Sequence, residues 1–141
     1  MRVVDANVLL YAVNVDAPLH TPAREWLDDA LGGREPVGFA WIVLLAFVRL
    51  STRSGLFPRP LDLETVAGVV ETWLTARPAV VVHPTPRHPT VLHGLLATLG
   101  TAGNLVNDAH LAALALEHGA EVVSFDRDFS RFPGLRWRSP G

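Results

Sequence analysis

Short apolar runs alternate along the chain with longer stretches in which apolar residues recur every three or four positions. The short runs cover residues 2–6, 36–40, 79–82 and 121–125, and their composition is typical of strands buried inside a sheet. The longer stretches between them have the period of amphipathic helices. Because each parallel connection between strands requires a crossover helix, the alternation predicts an α/β domain with a mainly parallel sheet.

Capping and helix-breaking residues mark where the predicted helices begin and end. Asn7 is the predicted N-cap of the first helix, Thr21 followed by Pro22 the start of the second, and Asp62 the N-cap of the fourth. The third helix is predicted over Ile42 to Arg53. The last two are predicted to begin at Thr85-Pro86 or His88-Pro89 and at Asn107 or Asp108, with a glycine-rich turn, GTAGN, between them.

The length of 141 residues fits one domain spanning residues 1–141. With 49% hydrophobic and 18% charged residues, the composition excludes a disordered chain. The longest apolar run, residues 39–48, is too short to span a bilayer, and the N-terminus lacks the features of a signal peptide. The sequence therefore predicts a cytoplasmic protein that does not bind a membrane. There is no cysteine, which excludes disulfides and thiolate metal sites.

All 12 basic residues are arginine. The lack of lysine excludes P-loop nucleotide binding, Schiff-base chemistry and Ser-Lys catalysis, since each requires a lysine side chain. The net charge is -2. If four aspartates form a metal site, the remainder of the chain carries -2 + 4 = +2, so a nucleic acid is not repelled by the rest of the protein.

Acidic residues follow two predicted strands and open one predicted helix. Asp5 ends the first strand, Asp126 follows the last one, and Asp108 opens the helix that leads into it. In an open parallel sheet this edge, beyond the carboxyl ends of the strands, is where ligands bind. Asp108 and Asp128 have a simpler interpretation as helix caps. A buried acid such as Asp5 requires a cation or several hydrogen bonds.

Several carboxylates in close proximity require a positive charge among them. Oxygen ligands favour Mg²⁺, with Mn²⁺ as the second candidate, over Zn²⁺. His88 and His93 are five positions apart, about 140° around a helix, and so do not face one site. They are interpreted as surface or packing residues, and His110 and His118 are likewise not a pair of metal ligands. A cation held by carboxylates supports hydrolysis of a phosphodiester by water.

Three segments carry a resemblance to a known family: VVDANVLLYAVN, GNLVNDAHLAALALEHGA and VVSFDRDFSRFPGLRW. Together they resemble the PIN-domain family, and within it the VapC ribonuclease toxins of VapBC toxin–antitoxin modules. The resemblance implies a three-layer α/β/α domain and endonucleolytic cleavage of RNA that depends on Mg²⁺ or Mn²⁺. It also implies a homodimer that is neutralised by a VapB-type antitoxin.

The resemblance assigns roles to individual residues. By position in its motifs, it implies that Asp5, Asp108 and Asp126 bind the metal, that Asp128 assists them, and that Ser124 and Asn7 support the site. Arg49 retains a family position and is predicted to contact RNA phosphate or the antitoxin; the alternative is a solvated helix residue.

One position departs from the family pattern. The family usually has a glutamate on the helix after the second strand, and this chain has Ala46 there, with no acid between Glu35 and Asp62. The departure predicts one metal rather than two, weaker metal binding, or reliance on Asp128. It also keeps open the hypothesis of a catalytically weak or inactive interaction module that binds the antitoxin. A phosphotransfer domain, which also gathers aspartates at strand ends, is a third hypothesis that the lack of lysine disfavours.

Overall fold

The computed structural model describes residues 1–55, 57–100 and 103–141. Within these ranges the chain forms five β-strands, six α-helices and two short 3-10 helices. No helix in the described ranges is long and apolar enough to cross a membrane. In chain order the elements are β1 (Arg2–Val4), α1 (Ala6–Val13), α2 (His20–Gly32), β2 (Val37–Phe39), α3 (Trp41–Thr52), α4 (Leu63–Thr75), β3 (Ala79–Val81), α5 (His88–Leu99), the first 3-10 helix (Gly103–Leu105), α6 (Val106–Glu117), β4 (Glu121–Val123), the second 3-10 helix (Arg127–Arg131) and β5 (Trp137–Arg138).

The strands form one sheet in the order β3-β2-β1-β4-β5, and every pair of neighbours is parallel. The chain moves outward from β1 to β3, then returns to the other side of β1 to form β4 and β5. Because parallel crossovers are right-handed, this reversal places α1 to α4 on one face of the sheet and α5 and α6 on the other. The predicted three-layer α/β/α fold is confirmed. The reversal point, between β1 and β4, is the position where open α/β sheets bind ligands.

The two central strands are anchored in the core. Val3 and Val4 of β1 pair with Val122 and Val123 of β4, and all four side chains are fully buried. On the face covered by α3 and α4, Phe39 and Phe47 contact the buried Trp73, with ring centroids 6.3 Å and 4.7 Å from it. The carboxyl ends of β1 and β4 are therefore held in register by apolar packing on both sides.

Some boundaries differ from those that the sequence predicts. The N-cap of α1 is Asp5, not Asn7, and α2 begins at His20 without a side-chain cap rather than at Thr21. Two central strands are shorter than predicted, ending at Val4 and Val123. The predicted turn at 100–104 begins with Gly100 at φ +70°, while its residues 101 and 102 lie outside the described residues.

The prediction that β3 is buried was wrong. Val80 is 39% exposed and its two neighbours are only half-buried. The reason is topological, because β3 is at the edge of the sheet, where one side has no neighbouring strand. The short strand β5 at the opposite edge was not predicted.

Candidate active site

Asp5 comes directly after β1, and Asp126 comes three residues after the end of β4. Asp5 follows β1 and accepts a hydrogen bond from the backbone N–H of Ala6 at 2.7 Å, which caps α1. Asp126 follows β4 and accepts from the backbone N–H of Asp128 at 2.9 Å, which caps the second 3-10 helix. The cap that the sequence allowed at Asp128 is therefore formed by Asp126. Both carboxylates lie at the reversal point of the sheet, as the strand pattern predicted.

Three carboxylates converge at this edge. Asp108, in the first turn of α6, and Asp126 and Asp128 each present an oxygen, and the three oxygens lie within 4.8 Å of one another. Asp108 is not the N-cap of α6, since Leu105 holds that position without a side-chain hydrogen bond. Its carboxylate is thus not used by its own helix, and the simpler interpretation of Asp108 as a cap was wrong.

Asp5 does not belong to this group of three. It lies close enough to Asp108 and Asp126 for their charges to interact, but its own oxygens are already hydrogen-bonded. Oδ2 accepts from the Ser124 hydroxyl at 2.6 Å and from Asn7 Nδ2 at 3.2 Å. The resemblance implied Asp5, Asp108 and Asp126 as metal ligands, and this stays a prediction; in the structure Asp108 and Asp126 form a close group with Asp128, and Asp5 lies beside them.

Ser124 connects the ends of β1 and β4 through hydrogen bonds. Its side chain is fully buried. Besides donating to Asp5, its oxygen accepts from Asn7 Nδ2 and from the backbone N–H of Asp126, both at 3.0 Å. Asn7 Oδ1 in turn accepts from the backbone N–H of Phe125 at 3.1 Å. Asn7 therefore joins α1 to the loop after β4, and this explains why its side chain is not available to cap the helix.

A contact from β5 supports the same loop. The indole Nε1 of Trp137 donates to the backbone carbonyl of Ser124 at 3.0 Å. This contact was not predicted, because a two-residue strand carries too little periodicity to be recognised from the sequence.

The electrostatics of the site disfavour ionised carboxylates. Burial raises the pKa of Asp5, hydrogen bonds from Ser124 and Ala6 oppose this, and the charge of Asp126 adds to it. Burial, and then repulsion from the other three aspartates, raise the pKa of Asp108 to about 6. A positive charge among the carboxylates would remove this repulsion. An all-oxygen donor set without a basic partner fits a hard divalent cation.

A cavity of about 340 Å³ lies between α3 and α6; Asp5 and Asp108 line it, whereas Asp126 and Asp128 do not. It contains Ala46, the position where the family pattern has a glutamate. Arg49 lies one turn further along α3 and lines the same cavity. The lining residues are Asp5, Ala6, Ile42, Val43, Leu45, Ala46, Arg49, Asn107, Asp108 and Leu111.

A second polar cluster lies between α5 and α6, and the sequence analysis missed it. Glu117, whose side chain is inaccessible to solvent, accepts from His88 Nδ1 at 2.5 Å and from the backbone N–H and hydroxyl of Thr85 at 2.9 and 2.6 Å. The other ring nitrogen of His88, Nε2, is 2.9 Å from Nδ1 of His110. Glu117 and His110 are seven positions apart, two turns on one helix face, and that spacing was the available signal.

Glu117→Gln is expected to lower the free energy of unfolding by about 1–3 kcal/mol at neutral pH, because the buried donors of Thr85 and His88 lose a charged acceptor. Burial alone would raise the pKa of Glu117, but the hydrogen bonds from Thr85 and His88 lower it below its ordinary 4.5. The contribution is therefore present above pH 4.5 and is lost as the pH falls through the lower, folded-state pKa. Denaturant titrations of both proteins at several pH values test this.

The exposed Glu25→Gln on α2 is the control and should leave stability nearly unchanged. A stability difference between the wild type and Glu117→Gln that does not shrink below pH 4.5 would contradict the assignment.

The sequence pattern of the PIN domain family matches residues 2–135. Ribonuclease VapC37 of Mycobacterium tuberculosis is 59% identical over 140 residues, which is 99% of this chain and 97% of that protein.

Two solved structures share the fold. VapC20 of Mycobacterium tuberculosis, described as a toxin that cleaves the sarcin-ricin loop, has a TM-score of 0.71 at 19% identity and covers 96% of this chain and 99% of its own. VapBC2 of Rickettsia felis, bound to a DNA fragment of its promoter, has a TM-score of 0.70 at 18% identity and covers 98% and 97%.

Proposed function

The chain belongs to the PIN domain family and to the VapC ribonucleases within it, and from that premise we propose that it is a metal-dependent endoribonuclease toxin of a toxin–antitoxin system. The observation that carries the proposal is the group of carboxylates from Asp108, Asp126 and Asp128 at the reversal point of the sheet. In this chain the group forms from residues far apart in sequence, beside a cavity that is open to a substrate.

The residues have separate tasks in this proposal. Asp108, Asp126 and Asp128 would hold a divalent cation, which when bound activates water and stabilises charge on the scissile phosphate. Asp5, whose carboxylate accepts hydrogen bonds from Ser124 and Asn7, lies beside the three aspartates and would orient the groups that bind there. The hydrogen bonds among Asp5, Ser124 and Asn7 hold the carboxylate of Asp5 in place before a substrate binds. Mg²⁺ is the proposed ion and Mn²⁺ its substitute, because the donors are all oxygen.

The proposed partners follow from the relatives. VapBC2 is by name a complex of two proteins, and we propose that this chain is neutralised by a VapB-type antitoxin in the cytoplasm, where its RNA substrates would be. We also propose a homodimer. On α3, Trp41 is 49% and Leu45 60% exposed, and these two apolar side chains lie one turn apart on the helix surface. A second copy of the chain would cover them.

Chelation is expected to abolish RNA cleavage. Purified protein incubated with a panel of structured RNAs should yield endonucleolytic products with Mg²⁺ or Mn²⁺, none with excess EDTA, and the same products once the cation is restored. Gel analysis of the RNA measures this, and light scattering on the same sample gives the oligomeric state.

Cleavage that persists in EDTA would contradict the metal-dependent mechanism. No product from any RNA with either cation would favour the alternative motivated by Ala46, an interaction module that binds the antitoxin without catalysis. A monomer at all concentrations would contradict the homodimer.

A further inference from the structure

The cavity beside the carboxylates is acidic on one wall and basic on the other. Asp5 and Asp108 line it from the ends of β1 and α6, while Arg49 lines it from α3. Arg49 is exposed and forms no salt bridge with any described residue. A guanidinium with its donors available, facing a site for phosphodiester chemistry, is suited to bidentate binding of a phosphate.

The carboxylates at this site are sufficient to hold one cation but not two. Asp108, Asp126 and Asp128 form one close group of carboxylates. On the α3 side the remaining acid is Asp5, and both of its oxygens already accept hydrogen bonds from the protein. Helix α3 adds no carboxylate, since its sequence is WIVLLAFVRLST. A second cation there would have a single, largely occupied carboxylate as its protein ligand.

The helix places Ala46 and Arg49 on the same face. Residues three apart on an α-helix are neighbours at its surface, and both line the cavity. The small side chain at position 46 leaves space in the cavity that Arg49, Asp5 and Asp108 also line.

We propose, on the basis of the ribonuclease function above, that this site binds one divalent cation and that Arg49 supplies the second positive charge, by binding the phosphate of the RNA in the cavity that Ala46 leaves open. Arg49 is thus a catalytic residue that contacts the substrate. A guanidinium bound to the phosphate would stabilise the charge that develops on it in the transition state.

The number of cations is measured first. Mn²⁺ titration followed by electron paramagnetic resonance should give one bound ion per wild-type chain and none in Asp126→Asn. The count should remain one in Arg49→Ala and rise to two in Ala46→Glu, which supplies the missing carboxylate. Two ions bound to the wild-type chain would overturn the proposal.

The role of Arg49 is measured next. Under single-turnover conditions Arg49→Ala should slow cleavage about 100-fold, with partial recovery when free guanidinium ion is added. Arg53→Ala is the matched control, because Arg53 is an exposed arginine at the C-cap of the same helix that does not line the cavity. An equal effect of the two variants, or a wild-type rate in Arg49→Ala, would also overturn the proposal.

The affinity for RNA tests the role of Arg49 independently of RNA cleavage. The affinity for short mixed-sequence RNA in Ca²⁺, measured by fluorescence anisotropy, should fall about tenfold in Arg49→Ala and little in Arg53→Ala. If the wild-type chain cleaves no RNA, the proposed function fails. In that case the Mn²⁺ count and the binding of RNA still decide whether Arg49 binds phosphate beside a single cation.

Discussion

Asp108→Asn is expected to reduce RNA cleavage roughly 1000-fold while raising the melting temperature of the metal-free protein at neutral pH. The loss of activity follows from removing one of three carboxylates that converge on one point. The gain in stability follows from the repulsion that Asp108 experiences in the folded protein. A residue retained for chemistry at the expense of stability shows this opposite response of the two quantities.

The sign of the stability effect follows from the pKa. In the folded protein the pKa of Asp108 is raised from 3.8 to about 6, so the folded state disfavours the ionised carboxylate. Folding is therefore penalised as the pH rises from 3.8 to about 6, and the full penalty remains above that range. Asparagine carries no charge and removes the penalty. Because Asp108 is only half-buried, solvent screening reduces the gain to about 1 kcal/mol, or about 3 °C in melting temperature.

Thermal unfolding with EDTA, above and below this pH range, measures the effect. The variant should be more stable than the wild type at neutral pH, and the difference should vanish below pH 3.8. Asp16→Asn, at an exposed turn, is the control for loss of a negative charge. Added Mn²⁺ should raise the melting temperature of the wild type more than that of Asp108→Asn. A variant less stable than the wild type at neutral pH would contradict the proposed repulsion.

Ser124→Ala is expected to lower both stability and activity. The hydroxyl is fully buried and bonds three groups, so its removal leaves Asp5 Oδ2, Asn7 Nδ2 and the backbone N–H of Asp126 each without one partner. We expect a loss of about 2–3 kcal/mol in the free energy of unfolding and about 10- to 100-fold in cleavage rate. Denaturant titration and single-turnover kinetics measure the two losses.

Ser130→Ala removes a hydroxyl from the neighbouring 3-10 helix, where it donates to the backbone carbonyl of Arg127 at an exposed position. Its effect should stay within about 0.5 kcal/mol. Equal effects of Ser124→Ala and Ser130→Ala would contradict the role of Ser124 in connecting the ends of β1 and β4.

The position of the acids could be predicted from local pattern, and their detailed bonding could not. Asp5 and Asp126 follow apolar strands, and parallel strands end at one edge, which predicts the edge at which both acids lie. That they lie close together depends on the pairing of β1 with β4, which the pattern does not specify. The cap of α1 was assigned to Asn7 because aspartate and asparagine cap equally well. What decides between them is the hydrogen bond that the side-chain amide of Asn7 donates to Ser124. This contact joins residues 117 positions apart and has no local signal.

Two other features that the sequence did not predict also depend on tertiary structure. The exposure of Val80 depends on the place of β3 in the sheet order rather than on its own apolar sequence. The cluster of Glu117, His88 and His110 depends on how α5 packs against α6. Both require tertiary structure, which a pattern of hydrophobic and polar positions does not specify.

The pairing of β1 with β4 also determines at which stage of synthesis the group of carboxylates can form. Asp5 is among the first residues to leave the ribosome, and Asp126 and Asp128 emerge only after all of β1 to β4 have been made. Until then no cluster of carboxylates exists. A nascent chain therefore lacks the complete group of carboxylates until synthesis has passed Asp128.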